Sequence, residues 1–182
     1  MEISRTKIDG CFAMVPKVFH DERGHFFESF NQRTFNQETG LDINFVQDNQ
    51  SFSQKGVLRG LHYQKGSSAQ AKLVRVLEGE VLDVVVDIRP GSDTYGAVFS
   101  ILLSAKNNKQ LFVPRGCAHG FVTLSDRASF FYKCDNYYDP KAETGILYND
   151  ERFGIDWMLP EESLIISEKD RVLPKFTDLV NH

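Results

Sequence analysis

Apolar and polar side chains alternate with a period of two along much of this chain, which is typical of β-strands with one buried face. The clearest run begins at Leu82, where leucine, valine and isoleucine occupy every second position as far as Ile88. Strands of this kind are predicted at 45–51, 72–77, 82–88, 97–103, 110–114, 120–124 and 129–136. Glu78-Gly79-Glu80 and Asn107-Asn108 lie between consecutive strands, so we predict a β-hairpin at each of these two turns.

Other elements are predicted from shorter patterns. Alternating side chains indicate one more strand over 26–30. A short helix is predicted over 34–39, and Gly40 stands in the usual C-terminal capping position. After Tyr148 the chain is rich in Asp, Pro and Glu, so we predict a packed irregular segment with a short helix near 160–164.

The spacing of these elements favours an all-β fold. Short strands separated by turn residues indicate an antiparallel sandwich or barrel rather than βαβ units. The chain has 182 residues and contains no repeat, low-complexity tract or linker. We therefore expect a single domain over residues 1–182, long enough to bury about 70% of the surface that the unfolded chain exposes.

Composition excludes several classes of function. The formal net charge is -4, so we expect no general attraction to nucleic acid or to an anionic membrane. Three widely spaced cysteines, Cys11, Cys117 and Cys134, lack the C-x-x-C spacing of a zinc or redox site and indicate a reducing compartment. Signal-peptide and membrane-span patterns are absent, so we expect a cytoplasmic location. The G-x-S-x-G and H-E-x-x-H motifs are absent too, which argues against a serine hydrolase or a zincin.

Ionisable side chains concentrate in one predicted strand pair. The stretch 56–64 carries Arg59 and His62, and Lys72 follows within 70–76. An ionisable group on an interior strand face must be hydrogen-bonded or paired to offset its desolvation. Three such groups close together therefore suggest an active site.

Arg59 and His62 present a geometric difficulty. They are three residues apart, so a regular strand would point them to opposite faces. Gly60 lies between them, and bulges favour glycine and occur beside active sites. We therefore hypothesise a β-bulge at Gly60 that turns one of the two side chains towards the other.

Seven motifs make the chain resemble the dTDP-4-dehydrorhamnose 3,5-epimerase family over nearly its whole length. They are FHDERGHFFE at 19–28, FVQDN at 45–49, LRGLHYQ at 58–64, KLVRV at 72–76, PRGCAHGF at 114–121, YKC at 132–134 and SEKD at 167–170. The resemblance implies a cupin-type antiparallel β-barrel (jelly roll) with short peripheral helices, a homodimer with exchanged strands, and no cofactor. The implied reaction is epimerisation of dTDP-4-dehydro-6-deoxy-D-glucose at carbons 3 and 5.

The same resemblance implies four catalytic residues. His62 is the base, since an imidazole has an unperturbed pKa of about 6.5 and can take up a proton near neutral pH. Asp170 is its orienting partner. Lys72 supplies a cation where the enolate oxygen develops charge, and Tyr132 is the acid that returns a proton.

Further residues are assigned to substrate binding by the resemblance. Arg23 and Arg59 match phosphate contacts, for which the forked guanidinium group is well suited. The other matching positions, expected to contact the pyrimidine, the sugars or the enolate region, are Glu28, Gln47, Asp48, Asn49, Lys72, His119, Tyr138, Glu143 and Lys169.

Three alternatives remain open at this stage. Many cupins bind a divalent ion through an H-x-H pair, but Gln64 replaces the second histidine here, and we expect no metal because an amide is a poor zinc or iron ligand. A non-catalytic sugar-binding module would have no use for a base and an acid. A related enzyme that epimerises carbon 3 alone is the third alternative, since Cys117 and Ser67-Ser68 depart from the usual family pattern.

Overall fold

The structure is a computed structural model that describes residues 1–177, so residues 178–182 of the predicted domain lie outside the described part. Its elements are mostly strands, with two short α-helices. The strands are β1 (Glu2–Arg5), β2 (Phe12–Val15), β3 (Phe19–Asp21), β4 (Gly24–Phe26), β5 (Gln47–Gln54), β6 (Val57–Gln64), β7 (Lys72–Glu78), β8 (Glu80–Asp87), β9 (Val98–Ser104), β10 (Gln110–Val113), β11 (Cys117–Thr123), β12 (Arg127–Cys134), β13 (Glu143–Gly145) and β14 (Ile165–Ile166). The helices are α1 (Gln32–Thr39) and α2 (Glu168–Arg171).

Two large sheets form a sandwich. The first has the order β1-β2-β10-β7-β12-β5, and the second has the order β13-β6-β11-β8-β9 with β14 alongside β6. All pairings within them are antiparallel except that of β14 with β6. The predicted all-β, cupin-type jelly roll is confirmed, and β3 and β4 form a separate two-stranded sheet.

The core consists of three apolar clusters. One lies between the two sheets and includes Val85 of β8 and Phe130 of β12. Val84 of β8 faces the opposite way, into a cluster where the irregular segment around Trp157 covers the outer face of the second sheet. The third cluster lies under α1, where Phe35 packs on the outer face of the first sheet. Both faces of β8 are therefore buried. The sequence pattern indicates burial of only the Val84 face, which carries large apolar residues, because the Val85 face carries acids.

Both predicted hairpins are wrong. β7 lies in the first sheet and β8 in the second, and likewise β9 lies in the second sheet and β10 in the first. The chain reverses at Gly79 and near Asn108 as the turn residues indicate, and both have positive φ. Each turn instead carries the chain from one sheet to the other. Burying an apolar face against the opposite sheet stabilises the next strand more than hydrogen bonding to the preceding strand would.

The remaining elements were predicted with mixed success. The helix is confirmed: Asn31 caps α1 by accepting from the Thr34 amide, and Gly40 ends it with φ 71°. The strand predicted over 26–30 is wrong, because β4 ends at Phe26 and the chain then turns to pack under α1. Near 160–164 the chain forms a single 3-10 turn, Glu161–Ser163. Neither α-helix of residues 1–177 has the length and apolar character needed to span a membrane.

Candidate active site

A cavity of about 660 Å³ opens between the two sheets. The first sheet contributes β5, β7 and β12 to its wall, and the second contributes β6 and β11. The segment that runs from β14 into α2 closes one side. Eight of the predicted site residues line this cavity: Asn49, Arg59, His62, Lys72, His119, Tyr132, Lys169 and Asp170.

A β-bulge in β6 brings Arg59 and His62 to the same cavity. His62 pairs with His119 of β11 and Arg59 pairs with Phe121, so two residues intervene on β6 against one on β11. Gly60 has φ 129°, and a Cβ atom there would lie 2.5 Å from the Cα atom of Gly120. Only glycine fits this close approach of two backbones. The bulge hypothesis is confirmed.

His62 and Asp170 form a hydrogen-bonded pair. The distance from His62 Nε2 to Asp170 Oδ1 is 2.7 Å, and Asp170 is only 4% exposed. Because a carboxylate can only accept, the contact places a proton on Nε2 and leaves the Nδ1 lone pair available. Burial raises the pKa of Asp170, but hydrogen bonds from His62 and from the Gly60 amide outweigh it and hold that pKa below its usual value.

Asp170 is positioned from three sides. β14 pairs with Val57 and Leu58 at the start of β6, which anchors the chain just before α2. Ser167 caps α2 by accepting from the Asp170 amide at 3.1 Å. The carboxylate then reaches the bulge itself through the Gly60 amide at 3.3 Å. The same bulge therefore orients both members of the His62–Asp170 pair.

A second histidine–carboxylate pair joins β11 to β8 in the second sheet. His119 Nε2 is 2.9 Å and 3.0 Å from the two carboxylate oxygens of Asp83, and both residues are buried. Asp83 was missed by sequence reasoning. The available signal was an acid inside the apolar run from Val81 to Val86 of β8, where a buried charge needs a partner.

Lys72 and Tyr132 lie together on the first sheet. The Lys72 ammonium is 5.9 Å from the centre of the Tyr132 ring. Within residues 1–177 Lys72 forms no ion pair or hydrogen bond through its ammonium. Burial lowers the pKa of Lys72 and raises that of Tyr132 to about 12, since it disfavours the charged form of each. The cavity therefore contains the amino group of Lys72, which has no partner within residues 1–177, beside a phenol that stays protonated at neutral pH.

The cavity mouth carries a chain of polar contacts. Gln47 donates to Asn49 at 3.1 Å and accepts from the Tyr138 amide at 3.0 Å. The Tyr138 hydroxyl donates to Glu143 at 2.7 Å, and Lys169 also donates to Glu143. The bond to Glu143 raises the pKa of Lys169. Gln47 and Asn49 lie on the same face of β5, whereas Tyr138 lies beyond β12, which ends at Cys134.

Three predicted binding residues lie away from this cavity. Arg23 is at the exposed turn between β3 and β4, paired with Asp21. Glu28 is exposed and accepts from Asn31 at 3.1 Å. Asp48 is on the opposite face of β5 from Asn49, where Lys133 Nζ is 2.9 Å from its carboxylate. The fold of one chain does not bring these three residues to the other candidates.

Gln64 is committed to a structural role. Its amide nitrogen donates to the carbonyls of Ser68 at 2.6 Å and Tyr137 at 3.2 Å, and its amide oxygen accepts from the Asp139 amide at 2.7 Å. In the described part of the chain, no group of three or more His, Cys, Asp or Glu residues is placed to hold a metal ion. The metal-cupin arrangement is thus not assembled by these residues, and independence of metal stays a prediction.

Comparison with known proteins gives a consistent result. The sequence profile of the dTDP-4-dehydrorhamnose 3,5-epimerase family matches residues 5–178. The dTDP-4-dehydrorhamnose 3,5-epimerase of Salmonella typhimurium is 53% identical over 177 residues, covering 96% of this chain and 94% of that protein. Among solved structures, the dTDP-6-deoxy-D-glucose-3,5-epimerase of Legionella pneumophila, in complex with dTDP-4-keto-L-rhamnose, has a TM-score of 0.93 at 48% identity, covering 97% and 93% of the two chains. A 3'-monoepimerase of Streptomyces bikiniensis, in complex with dTDP-quinovose, has a TM-score of 0.88 at 31% identity, covering 96% and 87%.

Proposed function

Because the chain belongs to the dTDP-4-dehydrorhamnose 3,5-epimerase family, we propose that it converts dTDP-4-dehydro-6-deoxy-D-glucose to dTDP-4-dehydro-L-rhamnose without a cofactor. The enzyme is an isomerase acting on carbohydrates. One observation carries the proposed mechanism. His62, held by Asp170 of α2, is on the second sheet and Tyr132 is on the first, so that a base and an acid line one cavity from opposite walls. A sugar bound between them would meet the base on one face and the acid on the other.

His62 performs the first step. Carbons 3 and 5 both flank the ketone at carbon 4, so the C–H bond at either carbon can break while its electron pair moves to the carbonyl oxygen. The Nδ1 lone pair of His62 takes the proton, and Asp170 stabilises the imidazolium that forms. The product of this step is an enolate.

Lys72 stabilises the enolate oxygen. Its ammonium makes no ion pair within residues 1–177 and lies in a desolvated wall, where a positive charge interacts more strongly with a developing negative charge than it does in water. His119 of β11, whose Nε2 is held by Asp83 of β8, lines the same cavity beside His62. With Lys72 in this position, the proposed mechanism requires no metal ion to stabilise the enolate oxygen.

Tyr132 completes the inversion. The phenol donates its proton to the carbon from the face opposite His62, and the phenolate then recovers a proton from solvent while the imidazolium releases its own. Burial raises the pKa of Tyr132 to about 12, so the residue is protonated at neutral pH, as a proton donor must be. The same sequence of steps serves carbon 3 and carbon 5.

The nucleotide occupies the cavity mouth in this proposal. Arg59 faces the cavity through the bulge and contacts the diphosphate. Asn49, Glu143 and Lys169 contact the sugars and the pyrimidine, and the exposed ring of Tyr138 stacks on the base. Net negative charge on the protein does not prevent this binding, because the contacts are local.

A homodimer with exchanged strands accounts for two of the three residues that one chain leaves outside the cavity, Arg23 and Glu28. Phe19 and Phe26 pair across β3 and β4 and are 54% and 71% exposed, a large apolar surface for so small a sheet. β5 is an edge strand of the first sheet, and its Phe52 is 61% exposed. We propose that β3 and β4 pack against the second chain and carry Arg23 and Glu28 to its cavity.

A cytoplasmic location is part of the proposal. Cys11, Cys117 and Cys134 are free and buried, as is usual where thiols stay reduced.

Hydrogen exchange at carbon tests the reaction. Incubation with the 4-keto sugar nucleotide in deuterated water, read by NMR, is expected to place deuterium at both carbons 3 and 5. Label at carbon 3 alone would identify the narrower enzyme, and label at neither carbon would refute the epimerase assignment. The matched control is His62→Ala, which removes the base and is expected to abolish exchange at both positions.

A further inference from the structure

Two buried hydroxyl groups of the described chain make no hydrogen bond: Ser51 Oγ and Thr123 Oγ1. A buried polar atom without a partner is rare in a folded protein, because it loses its hydrogen bonds to water and gains none. The two sites differ in one respect. Ser51 lines the cavity, whereas Thr123 is absent from the cavity wall and lies at the far end of β11.

The position of Ser51 on β5 relates it to the diphosphate end of the site. Ser51 shares a strand face with Asn49 on one side and Ser53 on the other. Ser53 Oγ accepts from Arg59 Nε at 3.2 Å and so holds the guanidinium group beside β5. Ser51 is therefore bracketed by a proposed sugar contact, Asn49, and by the proposed phosphate contact, Arg59.

We propose that the Ser51 hydroxyl donates a hydrogen bond to a diphosphate oxygen of the bound nucleotide sugar. The inference rests on the proposed function and adds a binding residue to it. Within residues 1–177 the Ser51 hydroxyl makes no hydrogen bond, so rotation about the Cα–Cβ bond towards the cavity breaks none. An anionic oxygen held by Arg59 is a strong acceptor at that place.

Ser51→Ala is the test variant and Thr123→Val is its matched control, since each removes one unpaired buried hydroxyl. Both are expected to raise the melting temperature of the free protein by about 2–4 °C, by removing an unsatisfied group. The variants are expected to differ in ligand binding. Ser51→Ala should bind dTDP at least about tenfold more weakly than wild type, the usual effect of losing a hydrogen bond to a charged group, and Thr123→Val should bind it as wild type does.

Calorimetric titration with dTDP and with thymidine gives the decisive comparison. Weaker binding of dTDP by Ser51→Ala, with thymidine binding unchanged, supports a contact to the diphosphate. Equal dTDP affinity in Ser51→Ala and wild type overturns the Ser51 proposal and leaves the proposed function intact. Failure of the wild-type protein to bind dTDP overturns both.

Steady-state kinetics provide a second readout. The diphosphate does not react, so a contact to it should act equally on substrate and transition state. Ser51→Ala is therefore expected to raise KM about tenfold with kcat unchanged. A loss confined to kcat would contradict a binding role for Ser51.

Discussion

At the scale of single residues, burial acts in opposite directions on the two proton-bearing groups of the first sheet. It lowers the pKa of Lys72, whose protonated form is charged, and raises that of Tyr132 to about 12, whose protonated form is neutral. The proposed mechanism needs both groups protonated. In that mechanism Lys72 loses its proton first as pH rises, so we expect it to set the upper pH limit of activity.

The first prediction concerns this alkaline limit. In the wild-type enzyme kcat/KM is expected to fall as pH rises through a value below about 10.4, the ordinary pKa of lysine. Lys72→Arg should move the fall to higher pH, because a guanidinium group keeps its proton. Tyr132→Phe should lower kcat by about 10²–10⁴-fold and leave the limit where it was. A limit that moves in Tyr132→Phe, or stays fixed in Lys72→Arg, would contradict the assignment.

The second prediction concerns Asp170. Asp170→Asn keeps the shape of the side chain but cannot stabilise an imidazolium, so kcat is expected to fall by about 10²–10⁴-fold. The folded-state pKa of Asp170 lies below its usual value, so its ionised form stabilises the protein above about pH 4, and this stability is lost as pH falls through the folded pKa. Urea unfolding should therefore show a difference between wild type and variant that is largest at neutral pH and shrinks in acid.

Asp126→Asn provides the control, since Asp126 is exposed and does not line the cavity. It is expected to change neither kcat nor the pH dependence of unfolding. A pH-independent difference for Asp170→Asn would show that the aspartate acts by shape rather than by charge.

At the scale of elements, the site depends on the irregular part of β6. A regular strand would direct Arg59 and His62 to opposite faces, one towards the cavity and one towards the apolar cluster that covers the second sheet. The bulge at Gly60 instead gives both side chains access to the cavity and exposes the Gly60 amide to Asp170. β14 and α2 then hold Asp170 against it.

The third prediction is that Gly60→Ala disrupts both fold and site. The new methyl group would meet Gly120 Cα at 2.5 Å and the His119 carbonyl at 2.9 Å, in addition to the strain of φ 129°. Gly24→Ala is the matched control, because Gly24 has φ 131° and no atom of residues 1–177 lies within 4 Å of the new methyl group. We expect Gly24→Ala to cost about 1–3 kcal/mol of unfolding free energy and Gly60→Ala to cost about 2 kcal/mol more, as measured by urea unfolding. Equal costs would show that the close approach of β6 and β11 is not restrictive.

At the scale of the whole molecule, one chain leaves part of the predicted site unassembled. The cavity contains the proposed base, acid and cation, while Arg23 lies on an exposed apolar hairpin. Exchange of this hairpin within a homodimer would supply the missing contact and cover Phe19 and Phe26. Binding and assembly are then coupled in the proposal, since each cavity needs two chains.

The fourth prediction uses mixed dimers. Arg23→Ala and His62→Ala are each expected to be nearly inactive, the first in diphosphate binding and the second in proton abstraction. Unfolding the two variants together and refolding them should restore about a quarter of the wild-type activity, because half of the dimers then contain one intact cavity. Each variant refolded alone is the control. Absence of recovery, with mixed dimers demonstrated by a mass tag, would contradict the exchange of Arg23 between chains.

Sequence reasoning recovered the local features and the chemical groups of this protein. Strands β5 to β12, the α1 helix with its Gly40 cap, the bulge at Gly60 and the wall positions of His62, Lys72 and Tyr132 were predicted. Alternation, capping and glycine placement are properties of the backbone over a few residues, so they can be recognised without the fold. Motif resemblance added the distant Asp170, which no local pattern would select.

Tertiary structure alone decided which strands pair and which side chains face the cavity. The turns at Gly79 and Asn108 were visible in the sequence, but their strands belong to different sheets, because pairing depends on burial against residues far along the chain. The partnership of Asp83 with His119 and the unpaired hydroxyl of Ser51 follow from the same packing. The sequence determined the chemical groups and the local geometry; the packing of the two sheets decided where those groups meet, since contact across a sandwich is a non-local property.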